Sequence, residues 1–171
     1  MQSGTAREIV LSGILIALGI VLPPVFHAFG AGSAFSPMHI PVLIAGFSLK
    51  LPFAIMTGFI TPVLSSFITG MPPLFPVLPY MVFELSAYSA AACMLHRVTG
   101  KNIYVSLIIS MMVGRIIAGI IVWLLVIFFN VKMPGPFAFI CGSITGAIPG
   151  IIAQLAIIPG IVASLKKSKV I

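Results

Sequence analysis

Apolar residues fill this chain in long runs, and the breaks between runs are short, rich in proline and glycine, or basic. The first run, Ile9 to Phe26, is long enough as a helix to cross a ~30 Å hydrocarbon core at ~1.5 Å per residue. From His27 to Pro41 the chain carries Gly30, Gly32, Ser33, Ser36, Pro37 and Pro41 but no lysine, arginine or acid, and reads as a loop that can fold back into the protein. A short second helix, about Ile40 to Leu49, ends at Lys50. A third starts at the helix-favouring Pro52 and runs to about Ile68, with an interruption expected at Pro62. Thr69-Gly70-Met71-Pro72-Pro73 makes the next turn, and a fourth helix leaves the proline-rich loop, continues to Met94 and is closed by His96, Arg97 and Gly100. The fifth run, Ile103 to Phe129, is broken only by Arg115, and Asn130 to Pro136 follows as a loop containing Lys132. The last, Phe137 to Leu165, is too long for one straight crossing and holds Gly142, Gly146, Pro149, Gly150, Pro159 and Gly160, which predicts a bent helix or a helix preceded by a re-entrant piece. The pattern predicts an all-α membrane protein of six transmembrane helices in a single domain, residues 1–171, without internal repeats.

Composition supports this class. Of 171 residues, 60% are hydrophobic and 6% charged, against ~25% charged in soluble domains, and no polar stretch is long enough to form a water-soluble domain. Arg7 followed by an apolar run also fits a signal peptide, but the length of the run, Glu8 beside Arg7 and the lack of anything soluble to export favour a retained helix. A net charge of +7 would suggest nucleic acid in a soluble protein. Here the basic residues punctuate apolar segments and set orientation instead, so no nucleic-acid partner is expected. Arg7, Lys50, Arg97, Lys101, Lys166, Lys167 and Lys169 fall in the termini and even loops, while Lys132 alone falls in the odd loops. That asymmetry predicts both termini in the cytoplasm. Cys93 and Cys141 sit in apolar surroundings as small packing residues, and His27, His39 and His96 show no metal-ligand spacing, so neither metal nor cofactor is expected. No phosphate loop, nucleophile elbow or zinc-protease motif is present, so an energy-consuming step would need a partner subunit.

The candidate chemistry lies on the fourth and fifth helices. Glu84 is one of only two acids in the chain, and a charge at a helix centre in hydrocarbon costs roughly 2.5–3.5 kcal/mol unless it is paired or faces a polar cavity. Arg115 is the charge in another apolar segment able to meet it, and counting helical rise puts both in the middle to outer half of the membrane. They either form a structural ion pair or line one ligand pocket. Tyr80 and Tyr88 are four residues either side of Glu84 and share its face, which suits a flat, hydrogen-bonding ligand. Arg115 is expected to share a face with Met111, Met112, Ile116 and Gly119. Gln154 is a further polar group at mid-depth, and His39 stands where the first outer loop enters the second helix. Gly13 and Ala17, four apart, form a small-residue patch that allows close approach of another helix.

Particular stretches carry a family likeness: Ser36-Pro37-Met38-His39-Ile40-Pro41-Val42-Leu43-Ile44-Ala45-Gly46, Thr69-Gly70-Met71-Pro72-Pro73, Met81-Val82-Phe83-Glu84-Leu85-Ser86-Ala87-Tyr88, Met112-Val113-Gly114-Arg115-Ile116 and Gly146-Ala147-Ile148-Pro149-Gly150-Ile151-Ile152-Ala153-Gln154. In their order the chain resembles the substrate-binding S components of energy-coupling factor (ECF) vitamin transporters over nearly its whole length. The resemblance implies a multi-pass protein of a bacterial plasma membrane, surrounded by lipid, that binds a vitamin from outside. It implies docking on a T subunit driven by two ATPase subunits and toppling to release the cargo. It also implies substrate contacts from His39, Tyr80, Glu84, Tyr88, Arg115 and Gln154, and a docking surface at Gly13 and Ala17, where the family's Ala-xxx-Ala pattern has one alanine replaced by glycine. A pyridoxine-like compound or the hydroxymethylpyrimidine precursor of thiamine is the expected cargo, with pantothenate next. The rival class is a self-sufficient secondary transporter or channel, for which internal repeats and ion-coupling acids would be the usual equipment.

Overall fold

The computed structural model describes residues 2–30, 32–100 and 102–168. Among them the chain forms eight α-helices: α1 (Gln2–Ala28), α2 (Gly32–Phe35), α3 (His39–Ser48), α4 (Leu51–Thr69), α5 (Val77–Ala92), α6 (Ile103–Phe129), α7 (Pro136–Gly146) and α8 (Ile148–Lys167). A π-helical turn, Cys93–Val98, prolongs α5. Local chemistry sets several boundaries. Pro52, Pro136 and Pro149 stand in the first turns of α4, α7 and α8, where a missing N–H leaves no helical bond unmade. α4 ends at Gly70, whose φ of 73° is left-handed and lets its N–H turn back to Ser66 O. The Asn102 side chain caps α6 by accepting from the Tyr104 N–H at 3.0 Å.

Helix α5 is the post on which the bundle is built, with α3, α4 and α6 all packed against it. Each of the three presents a glycine at the closest point. A Cβ on Gly46 of α3 would stand 2.7 Å from Ser89 O, and one on Gly58 of α4 would stand 2.6 Å from Leu85 O. A Cβ on Gly114 of α6 would run into the Tyr88 ring. Lipid tails are as apolar as leucine, so helices in a membrane associate by close packing, and small residues at the contact make that possible. Helix α1 joins from outside, with Leu15 buried and Gly19 set against Thr61 of α4. Helix α3 is buried along nearly all its length by α1, α4, α5 and α8.

The outer surface is apolar. Ile9, Val10, Ile14 and Val21 on α1, and Met112, Ile116, Ile120 and Trp123 on α6, are each about half exposed or more, a band that a water-soluble monomer would not carry. Hydroxyls inside α4 are satisfied locally: Thr57 donates to Phe53 O at 2.8 Å and Thr61 to Thr57 O at 2.6 Å. At one end of the bundle, Glu8 Oε2 accepts from the Lys50 N–H at 2.9 Å, Lys166 Nζ lies 2.8 Å from His96 Nε2, and the rings of Phe47 and His96 are 5.4 Å apart. The start of α1, the α3–α4 turn, the π-helical turn and the end of α8 therefore share that end. Lys101 and Lys169, which enter the charge asymmetry, lie outside the described residues, as does the side chain of Arg97.

Among the described residues five helical stretches are long and apolar enough to cross a membrane: Gly4–Ala28, Leu51–Thr69, Val77–His96, Ile103–Phe129 and Ile148–Lys167. The expected second span is α3, only 10 residues or ~15 Å long, which is too short to cross alone and is enclosed by its neighbours. Pro62 does not interrupt α4, which is continuous around it. The last apolar segment divides at Ala147 into α7 and α8, because Pro149 has no N–H with which to extend the α7 ladder.

Because Gly58 faces backbone rather than a flexible side chain, Gly58→Val is expected to lower unfolding stability in detergent by about 1–3 kcal/mol. Gly142→Ala, whose Cβ meets nothing within 4 Å, is expected to be neutral or stabilising by up to ~1 kcal/mol. Thermal unfolding of the two variants beside the wild type checks the contrast.

Candidate binding cavity

At the end of the bundle away from Lys50 and His96, three short elements close over the helices. The loop between α4 and α5 contains Pro72, Pro73 and Pro76, which have no N–H to satisfy. Its carbonyls are taken by α4: Ser65 Oγ donates to Met71 O at 2.7 Å and Ser66 Oγ to Pro72 O at 2.6 Å. The Leu78 N–H then donates to Pro73 O at 3.0 Å as α5 begins. The segment entering α3 folds back into the protein, with Pro37, Met38 and His39 buried. Helix α7 contributes Phe139, Gly142, Ser143 and Gly146, one face at helical spacing. Together with α1, α5 and α6 these elements surround a cavity of about 710 Å³, within the ~300–1,000 Å³ common for small-molecule sites.

Glu84 of α5 and Arg115 of α6 both line this cavity and are only 6% and 8% exposed. Their placement follows from Gly114. Because that residue lacks a side chain, the Tyr88 ring lies directly against the α6 backbone, and its hydroxyl donates to Glu84 Oε1 at 2.9 Å. The His39 ring is tilted 56° on Tyr88 at 5.2 Å, with Nε2 3.8 Å from the same carboxylate oxygen. Glu84 Oε2 takes no hydrogen bond among the described residues. Arg115 forms no ion pair within 4.0 Å among the described residues, and its Nε is buried without a partner, as is His39 Nδ1. Of the two arrangements open to this pair, a direct contact is thus not formed, and both charges border one space.

The remaining expected site residues fall at different places. Tyr80 is half-buried and lines the cavity, edge-on to Phe139 of α7 at 5.1 Å. Tyr88 lies behind the wall, positioning Glu84 rather than bordering the cavity. Gln154 is buried on α8 but is outside the wall. Of the residues expected beside Arg115, Met111 and Gly119 face inward, whereas Met112 and Ile116 are 56% and 49% exposed on the outer face, since a 100° step per residue carries them around the helix. Gly13 and Ala17 are exposed on the outer face of α1, and a Cβ on Gly13 would meet nothing within 4 Å. His27, Ser36, Phe139 and Ser143 also line the cavity. The α7 residues had a readable signal in their spacing, whereas His27 lines the wall from the last turn of α1 and Ser36 reaches it through the fold-back of the loop. Cys93 is buried with Sγ 3.5 Å from Leu49 O, and Cys141 is exposed. Among the described residues no group of three or more His, Cys, Asp or Glu is placed to hold a metal ion.

A carboxylate, a guanidinium and two aromatic edges around one apolar cavity can hold and orient a small polar molecule. An all-helical bundle with a lipid-facing surface and such a cavity defines a membrane protein that binds a small molecule. Residues 7–165 match the substrate-specific component of ECF transporters, and the chain belongs to that family. It is a membrane substrate-binding subunit for uptake. No curated protein and no solved structure matches the chain.

Removing the Tyr88 hydroxyl takes away a buried hydrogen bond to a carboxylate. Tyr88→Phe is therefore expected to destabilise the protein by about 1–3 kcal/mol, while Tyr80→Phe at the half-buried rim stays within about 0.5 kcal/mol. Chemical denaturation of both variants in the same detergent distinguishes them.

Proposed function

We propose that the chain is the high-affinity binding subunit for a small water-soluble vitamin or vitamin precursor, taken up from outside the cell and released inside. The observation that carries this reading is that Glu84 and Arg115 border one cavity of about 710 Å³ without pairing with each other. Two buried opposite charges held apart are costly in a membrane unless something else completes them. Tyr80 and Phe139 supply aromatic edges for a flat ring, which favours a pyridoxine-like compound or hydroxymethylpyrimidine, with pantothenate next. His39 completes the floor of the site beside Glu84, Tyr88 positions the carboxylate, and Gln154 supports the site from α8.

In this reading α3 and the buried segment before it make the sixth crossing, and both termini are cytoplasmic. Lys50 and Lys166 gather at the end opposite the cavity, as expected if that end faces the cytoplasm, so the cavity opens outward in a bacterial plasma membrane. The exposed Gly13 and Ala17 face on α1 docks on the T subunit, two ATPase subunits supply the energy, and toppling carries the site inward. A self-sufficient transporter or channel is disfavoured by the lack of internal repeats and by the match of one cavity acid with one arginine.

Two outcomes follow. Cells expressing this chain alone are expected to bind the vitamin without accumulating it, and accumulation is expected once T and ATPase subunits are coexpressed. Concentrative uptake by the purified chain alone in a proton or sodium gradient would overturn the reading. Gly13→Leu and Ala17→Trp are expected to block co-purification with the T subunit while leaving ligand binding by the isolated chain within about twofold. Joint loss of assembly and binding would place this face inside the protein instead.

A further inference from the structure

We propose that the cargo is amphoteric and carries no net charge, presenting a protonated or N–H-bearing nitrogen to Glu84 and an ionised or strongly accepting oxygen to Arg115. The proposal rests on the reading above that this cavity is the binding site. Apart from its two histidines, His27 and His39, the wall carries one acid and one base, Glu84 and Arg115. Each has bonding capacity left over. Tyr88 occupies Glu84 Oε1 at 2.9 Å and nothing among the described residues occupies Oε2. Arg115 Nε and His39 Nδ1, in residues 8% and 7% exposed, have no partner among the described residues.

The chemistry of the cargo follows from that inventory. A simple anion would complete Arg115 and strand Glu84; a simple cation would do the reverse. With His27 and His39 neutral, either would also leave the occupied cavity with a net charge in a low-dielectric setting, where an uncompensated ion is strongly unfavourable. A molecule with both groups completes both residues and leaves the occupied cavity neutral. The rings of Tyr80 and Phe139, with centroids 5.1 Å apart, add a preference for a flat heteroaromatic core. Hydroxypyridines, in which the ring nitrogen and the phenolic oxygen can share one proton as a zwitterion, match the pattern at both ends. An aminopyrimidine without an acid offers Arg115 no ionised oxygen, and pantothenate, whose one nitrogen is a neutral amide N–H, brings an uncompensated negative charge.

Calorimetric titration of the purified protein with pyridoxine, hydroxymethylpyrimidine and pantothenate tests this. Pyridoxine is expected to bind about tenfold or more tightly than either of the others, because a site built to hydrogen-bond both groups rejects a molecule lacking one. Glu84→Gln is expected to shift the preference about tenfold toward pantothenate, and Arg115→Gln to shift it similarly toward hydroxymethylpyrimidine. Should a single variant fail to fold in a thermal unfolding check, Glu84→Gln with Arg115→Gln keeps the wall neutral and is expected to lose the preference for pyridoxine. Tightest binding of hydroxymethylpyrimidine or of pantothenate, with affinity still sensitive to Glu84 and Arg115, would overturn the amphoteric cargo and leave the site standing. No binding of any probe, or binding indifferent to all these variants, would overturn both.

Discussion

The close approach of three helices to α5 is the constraint on which the rest of this protein depends. Gly46, Gly58 and Gly114 bring α3, α4 and α6 so near that a single added carbon would meet α5 backbone or the Tyr88 ring. In a bilayer, where apolar side chains gain little by leaving lipid for protein, such contacts are a principal source of cohesion. They also set the chemistry. Gly46 and Gly58 pack along the α5 backbone between Leu85 and Ala92, while Gly114 stands beside the residue that supplies the guanidinium. The packing that holds the bundle therefore also brings Glu84, Tyr88, His39 and Arg115 to one region.

That region departs from the economy of the hydroxyls on α4. Thr57, Thr61, Ser65 and Ser66 all dispose of their hydroxyls on nearby carbonyls. Arg115 Nε and His39 Nδ1 do not, and Glu84 and Arg115 are held apart rather than joined. A structural ion pair would have brought them together, since pairing is what lowers the cost of buried charge. Helix α7 differs as well. It has no buried residue and meets α5 through the edge contact of Phe139 with Tyr80, so the wall it forms is the least embedded part of the cavity. Membership of the ECF substrate-specific components gives this geometry its setting, that of a membrane substrate-binding subunit.

Much of this was legible in the sequence. Long apolar runs located α1, α4, α5 and α6 closely, because spanning a membrane demands a hydrophobic length that little else requires. Glu84 and Arg115 stood out because ionisable residues inside such runs are costly, and the four-residue spacing placed Tyr80 and Tyr88 on the Glu84 face. What composition could not show was which small residues face protein. Gly13 and Ala17 look no different from Gly58 in a string of letters, yet the former lie on the outer surface and the latter against Leu85 O. Hydropathy likewise could not separate α3, enclosed by protein, from a lipid-facing span, nor foresee that Gln154 would lie behind the cavity rather than in its wall.

Native mass spectrometry of the protein purified in mild detergent tests most directly that the cavity between α5, α6 and α7 holds the cargo. Gly142 lines the cavity, and a Cβ there would meet nothing within 4 Å, so a side chain can start there without a clash at its first carbon, and Gly142→Phe is the variant chosen to occupy the space. The account predicts a small-molecule adduct on the wild type that is absent from a folded Gly142→Phe variant. An adduct retained undiminished by that variant would contradict it.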